Sequence, residues 1–216
     1  MKKNNLDFIV AGIQKSGTTM LAKYLSQNDQ LFLPPEKELP FFLKKEINIK
    51  DWKKFLTKYF YKGENHQLWG TVSPQYMMYP NSLKRIYKKF PKIKIIIIYR
   101  EPISRYISHY DMSVRFNNEQ RNINIAIKDQ IRNAKKIHKT NNLLDGYLAS
   151  GEYSRLNKYL KIFPKKNILK IDFQEFISKP KIVLDEISIF LKINYKFKFS
   201  KKKIMMKGGK KKNYKY

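Results

Sequence analysis

The chain has 216 residues, 42% of them hydrophobic and 14% aromatic, so it can bury one core of ordinary size and is not a disordered segment despite a mean hydropathy of −0.59. It contains no cysteine, which excludes a disulfide scaffold, a thiolate metal site, an iron–sulfur cluster and a cysteine nucleophile. The formal charge of +29 admits a polyanionic partner, but 39 of the 46 basic residues are lysine, set among Ile and Asn as an AT-biased genome produces, so the few arginines are the more informative cations.

Phe8–Gly12 is a short apolar run ending in glycine and predicts a buried strand. Thr18–Leu25, with Met20, Leu21 and Leu25 at helical spacing, predicts the helix that follows. Leu31–Phe42 holds Pro34, Pro35 and Pro40 and reads as an irregular loop. Asp51 is positioned to cap a helix running to about Tyr61, and Leu68–Val72 is the second strand. Pro80–Phe90 reads as a helix with proline in its first turn. Lys94–Tyr99 is almost continuously apolar, as in the centre of a parallel sheet. Helices are expected over Ser104–Val114, Ile123–His138 and Glu152–Phe163, then a strand over Ile168–Ile171 and a last helix over Lys181–Leu191.

Strands alternating with helices imply an α/β fold, a P-loop-like parallel sheet of about four to five strands flanked by helices on both faces. The expected division is a globular domain over residues 1–200 and a mobile tail over 201–216, half of which is lysine. The longest apolar run, Ile95–Tyr99, is far short of the roughly 20 residues that span a bilayer. The N-terminus passes straight into a strand without a visible leader, so a cytoplasmic location is expected.

The segment Phe8-Ile-Val-Ala-Gly-Ile-Gln-Lys-Ser-Gly-Thr-Thr-Met-Leu21 joins a strand, a glycine-bounded loop and a helix start, the arrangement that wraps phosphate in backbone N–H groups. Gly12 and Gly17 have the Walker spacing, but Thr18 stands where that motif has lysine, and the lysine lies inside the loop as Lys15. A magnesium-dependent NTPase also needs an acid at the end of an apolar strand, whereas Ile95–Tyr99 runs into Arg100. The loop therefore suits a phosphate-like group held without a metal. Arg100 leaves the C-terminal end of a buried strand, where ligands of open α/β sheets bind, and Ser108 lies two helical turns further on. A guanidinium fork plus a hydroxyl suits a phosphate monoester; the alternative for Arg100 is a surface ion pair with Glu101.

Together these segments resemble the sulfotransferases that use 3′-phosphoadenylyl sulfate (PAPS). Ile13–Met20 is similar to their 5′-phosphosulfate loop, and Tyr99-Arg-Glu-Pro with Ser108 to their 3′-phosphate motif. Ser73-Pro-Gln-Tyr76, Glu152–Pro164 and Ile168–Phe176 extend the resemblance over about residues 6 to 192. Lys37-Glu-Leu-Pro-Phe-Phe42 resembles the Glu-x-x-Phe-Phe stretch of carbohydrate sulfotransferases such as the heparan sulfate 3-O type. The resemblance implies PAPS as donor, no required metal, and transfer to a small-molecule or glycan acceptor. It implies Glu38 as catalytic base, with Glu36 as nearby competitor, and Lys15 as the cation on the bridging oxygen. Backbone N–H groups of Ser16, Gly17, Thr18 and Thr19 would take the 5′-phosphate, and Arg100 and Ser108 the 3′-phosphate. Lys207-Gly208-Gly209 would be the counterpart of a late loop that touches the 3′-phosphate, with Gly209 in place of its arginine. Tyr76, Tyr79, Trp52 and Trp69 are candidates for stacking on a sugar or adenine ring, although core packing is the commoner role. Two rival readings are a P-loop nucleotide kinase, which lacks its lysine and acid here, and a nonenzymatic basic protein that binds nucleic acid through the tail; no specific nucleic-acid partner is expected.

Overall fold

The computed structural model describes residues 4–43, 48–133, 157–158, 160–194 and 197. The apolar runs become five strands: β1 (Phe8–Gly12), β2 (Leu31–Phe32), β3 (Leu68–Val72), β4 (Lys94–Tyr99) and β5 (Ile168–Asp172). They form one sheet in the order β2-β3-β1-β4-β5, with every neighbouring pair parallel. All of β1 and the Ile95–Ile98 stretch of β4 are buried, which is why these central strands lack the polar alternation of a half-solvated sheet.

The α-helices bounded within the described residues are α1 (Thr18–Leu25), α2 (Ile49–Tyr59), α3 (Gln75–Met78), α4 (Pro80–Lys89), α5 (Pro102–Arg115), α6 (Ile123–Arg132), α7 (Phe173–Ser178) and α8 (Pro180–Leu191). Successive strand residues point to opposite faces. Ile9, Ala11, Ile95 and Ile97 meet Trp52 and Phe55 of α2 and Leu83 and Ile86 of α4. Phe8, Val10, Ile96 and Ile98 meet Leu21 and Leu25 of α1 and Val183, Leu184, Ile187 and Leu191 of α8. Both faces are covered, as expected.

From β1 the chain builds β2 and β3 on one side, then crosses to the other side for β4 and β5. That reversal brings the phosphate-type loop and Arg100 together outside the C-terminal ends of β1 and β4, the position at which open α/β sheets form their ligand crevice.

Several boundaries differ from expectation for local reasons. Leu31–Phe32 is not loop but an edge strand paired with Leu68–Trp69, and Pro34 and Pro35 follow it after Leu33. The cap of α2 is Asn48, whose Oδ1 accepts from the Asp51 N–H at 2.8 Å; Asp51 itself sits in the first turn. Strand β5 runs on to Asp172, whose Oδ1 accepts from the Glu175 N–H at 2.9 Å and starts α7. The acidic strand end missing from β4 therefore exists on its neighbour, engaged in capping. Helix α6 ends at Arg132; residues 134–138, most of the expected 152–163 helix and the 201–216 tail lie outside the described residues. Among the described residues no helix is long and apolar enough to cross a membrane.

Candidate active site

The loop after β1 is shaped by its glycines. Gly12 has φ +150°, and a Cβ there would lie 3.0 Å from Met77 Cγ. Gly17 caps α1 at φ +87°, and a Cβ there would lie 2.8 Å from the Phe173 ring. Only glycine satisfies both the left-handed backbone and the close approach. Because Gly17 offers no side-chain cap, the first N–H groups of α1 receive no cap hydrogen bond from it, at the helix end that favours an anion. Ser16 is fully buried and its Oγ has no hydrogen-bond partner among the described residues, as also holds for the buried Gln14 Oε1. Thr18 is buried and Thr19 half-buried at the same helix start. A helix start without a side-chain cap, beside a polar loop, fits a phosphate-type anion.

Arg100 closes the loop from the β4 side. Its Nη1 donates to the Lys15 carbonyl at 3.0 Å, its Nε donates to Ser104 Oγ at 3.2 Å, and its guanidinium lies 4.8 Å from the Phe173 ring centroid. Glu101 directs both carboxylate oxygens at the start of α5, accepting from the Ile103 and Ser104 N–H groups, each at 2.7 Å. Those bonds hold its carboxyl below the usual carboxylate value. Ser104, Ser108, Asp111 and Arg115 continue from Arg100 at spacings that share one helix stripe, with Ser108 half-buried. Burial, then the Arg115 and Arg100 charges, push the Lys15 ammonium below the ordinary lysine value, while Glu38 and Asp111 oppose the shift.

Glu38 comes from the other side, on the loop after β2. Its N–H donates to the Val72 carbonyl at 2.8 Å, tying the loop to the end of β3, and Gln75 Nε2 lies 3.5 Å from its Oε2. Leu39, Phe41 and Phe42 are buried and the buried Tyr76 hydroxyl donates to the Leu39 carbonyl, so the chain on one side of Glu38 is anchored while Glu38 itself stays exposed. Lys15 and Glu38 are both non-glycine residues with left-handed backbone, at φ +68° and +59°. Such conformations are disfavoured by roughly 1–3 kcal/mol and persist where surrounding contacts impose them. Lys37 Nζ donates to Thr19 Oγ1, linking the two loops directly.

A family model described as Sulfotransferase domain matches residues 5–213. The chain belongs to that family. Over 86% of its length it is 26% identical to the mouse (Mus musculus) heparan sulfate glucosamine 3-O-sulfotransferase 5, covering 53% of that protein. Over 51% of its length it is 32% identical to the membrane-associated sulfotransferase kil1 of Dictyostelium discoideum, covering 23% of that protein. The chain thus spans about half or less of these curated relatives. The crystal structure of a sulfotransferase from Alicyclobacillus acidocaldarius superimposes with a TM-score of 0.75 at 26% identity, covering 88% of this chain and 82% of that one. The mouse sulfotransferase SULT7A1, solved in complex with PAP, shares the fold with a TM-score of 0.60 at 17% identity over 88% of this chain and 60% of that one.

In this sulfotransferase domain the fold brings Lys15, Ser16, Gly17, Thr18, Thr19, Arg100 and Glu38 to one crevice, with Ser108 on the adjoining stripe of α5. Lys207 and Gly208 lie outside the described residues. Glu36 is exposed on the same loop as Glu38. Three of the four aromatic candidates are core residues: Trp52 Nε1 donates to the Asn4 carbonyl at 3.0 Å, Trp69 Nε1 to the Gly63 carbonyl at 2.6 Å, and Tyr76 to Leu39, each ring being almost fully buried. Tyr79 is half-buried. Among the histidines, His109 is fully buried on α5, and burial, then Arg105 and Lys15, push it down to about 3, so it stays neutral. Sequence reasoning missed Lys37, Gln75, Asp111, Arg115 and Phe173. The helical spacing from Arg100 could have flagged Asp111 and Arg115, and Lys37 stands beside Glu38 at the head of the Glu-x-x-Phe-Phe stretch, although nothing local shows that it reaches Thr19.

Proposed function

We propose that the chain transfers the sulfuryl group of PAPS to a hydroxyl of a carbohydrate acceptor, with Glu38 as base. The observation that carries this reading is electrostatic and geometric: Lys15 and Glu38 reach the same crevice from different loops, each in left-handed backbone, close enough that the Glu38 carboxylate raises the Lys15 ammonium against the other shifts. Backbone N–H groups of Gly17 to Thr19 would receive the 5′-phosphate at the start of α1, the Ser16 N–H being already given to the Ile13 carbonyl at 3.1 Å, and Arg100 with Ser108 would receive the 3′-phosphate. The acceptor oxygen attacks sulfur in line as its proton passes to Glu38; the sulfur–oxygen bond to the 5′-phosphate breaks, and 3′,5′-ADP leaves. Lys15 meets the negative charge that develops on the former bridging oxygen, and a fixed charge aimed there lowers the barrier without reorganising.

A hydroxyl is a weak nucleophile until a positioned base removes its proton, which is the reason to assign Glu38 to the acceptor side. The carbohydrate acceptor draws support from the Glu-x-x-Phe-Phe stretch and from the likeness to a heparan sulfate 3-O-sulfotransferase. Incubation with sulfur-labelled PAPS and a panel of free sugars, oligosaccharides and phenols tests the whole reading. Label should move to the sugars. Transfer to phenols alone would remove the carbohydrate assignment, and no transfer from PAPS to any hydroxyl would remove the donor.

A further inference from the structure

Lys37 is the one described residue whose side chain bonds the first turn of α1 while its chain neighbour is Glu38. An ammonium has three N–H donors and no acceptor capacity. Thr19 Oγ1 takes one of them, and in accepting it the threonine keeps its own proton to donate. Burial and the Lys23 charge lower the Lys37 ammonium while Glu38 raises it, so the cation is partly dehydrated and lies within the field of the proposed base. A half-buried ammonium is incompletely solvated, which favours exchanging water for an anionic oxygen.

The position has a chemical meaning on the PAPS reading just given, on which the inference rests. The sulfuryl group lies beyond the 5′-phosphate, on the side from which the acceptor approaches. A side chain that reaches in from the acceptor loop, next to the base, is therefore placed to contact its oxygens from the side opposite the phosphate. We propose that Lys37 binds the sulfuryl oxygens of the donor, together with the Thr19 hydroxyl, and so distinguishes PAPS from its desulfated product. Lys15 and Arg100 hold what both nucleotides share; Lys37 holds what only the donor has. Release of 3′,5′-ADP after transfer is then eased, because one cation loses its anionic ligand when the sulfuryl group departs.

The test is calorimetric binding of PAPS and of 3′,5′-ADP to the full chain without acceptor. Lys37→Met keeps most of the aliphatic stem and removes the charge; Lys37→Arg keeps the charge and serves as the rescue. For Lys37→Met, affinity for PAPS should fall about tenfold or more, the scale of one charge-assisted hydrogen bond, while affinity for 3′,5′-ADP stays within about twofold. Lys37→Arg should retain most of the PAPS affinity. An equal loss for both nucleotides would make Lys37 a strut for the start of α1 and overturn the proposal, as would unchanged PAPS binding. If the unmodified chain binds neither nucleotide, the donor reading itself falls, a result distinct from either of those. Should Lys37→Met fail to fold, Lys37→Gln is read in the same way.

Discussion

Replacing Gly17 by alanine perturbs three parts of the crevice at once. The left-handed backbone at φ +87° costs an L-residue roughly 1–2 kcal/mol relative to glycine. The new Cβ would also stand 2.8 Å from Phe173 Cε2 and 3.0 Å from Cδ2, closer than side-chain carbons pack, so the ring must shift by several tenths of an ångström. Overpacking of this kind adds about 1 kcal/mol or more, for a total near 2–3 kcal/mol. The displaced ring is the one stacked under the Arg100 guanidinium, 4.8 Å away, and Arg100 in turn holds the Lys15 carbonyl. Gly17→Ala should therefore lower the urea midpoint and weaken 3′,5′-ADP binding by at least about tenfold. Trimming the ring with Phe173→Leu should recover part of the stability of Gly17→Ala but not the backbone cost, a coupling that a double-mutant cycle resolves. A Gly17→Ala protein with an unaltered midpoint and unaltered binding would show that neither the backbone nor the Phe173 approach constrains the loop.

Arg100→Ala should weaken 3′,5′-ADP binding by at least about 1 kcal/mol, and calorimetry returning unmodified affinity would remove Arg100 from the nucleotide site. Glu38→Gln should lower turnover by about 10²–10⁴ with little change in 3′,5′-ADP affinity; if Glu36→Gln is the inactive variant instead, the base is two residues earlier. Sulfuryl transfer should persist in excess EDTA, since Asp172, the acid at the end of β5, already caps α7; loss on chelation with recovery on added magnesium would point to a kinase-like mechanism. His109 has an ordinary value of 6.5 and about 3 in the fold, so the native state binds fewer protons than the unfolded chain between them. Its contribution is fully present above about 6.5 and is lost as pH falls toward 3; His109→Gln should flatten that acid limb, and an unchanged limb in denaturation curves would show that other groups set it.

Much of the fold was legible because its signals are local. The bounds of β1, α1, β3 and β4 follow from short, largely apolar runs, a glycine that permits a left-handed turn, and helical spacing, all carried by neighbours in the chain. The same locality made the phosphate-type loop and Arg100 readable, since a strand end followed at once by glycines or by an arginine is itself the signal. A two-residue edge strand such as β2 has no periodicity to read; it exists because β3 offers an unpaired edge. Trp52, Trp69 and Tyr76 could have faced solvent or core, and only their partners on distant segments decided that they are core.

Beyond Lys15 and Arg100, tertiary structure decided which charges matter. In a chain with 46 basic residues, a lysine in the sequence carries almost no information, yet Lys37 meets Thr19 across 18 residues and Arg100 meets Lys15 across 85. The parallel sheet makes those meetings obligatory: its strands all point the same way, so the loops after β1, β2 and β4 emerge at one edge whatever their separation along the chain. Sequence thus determined which short segments could build a strand, a turn or an anion-seeking loop. The sheet order determined that Glu38 would share its crevice with Lys15, because long-range proximity comes from strand pairing and buried packing rather than from the identity of neighbouring residues.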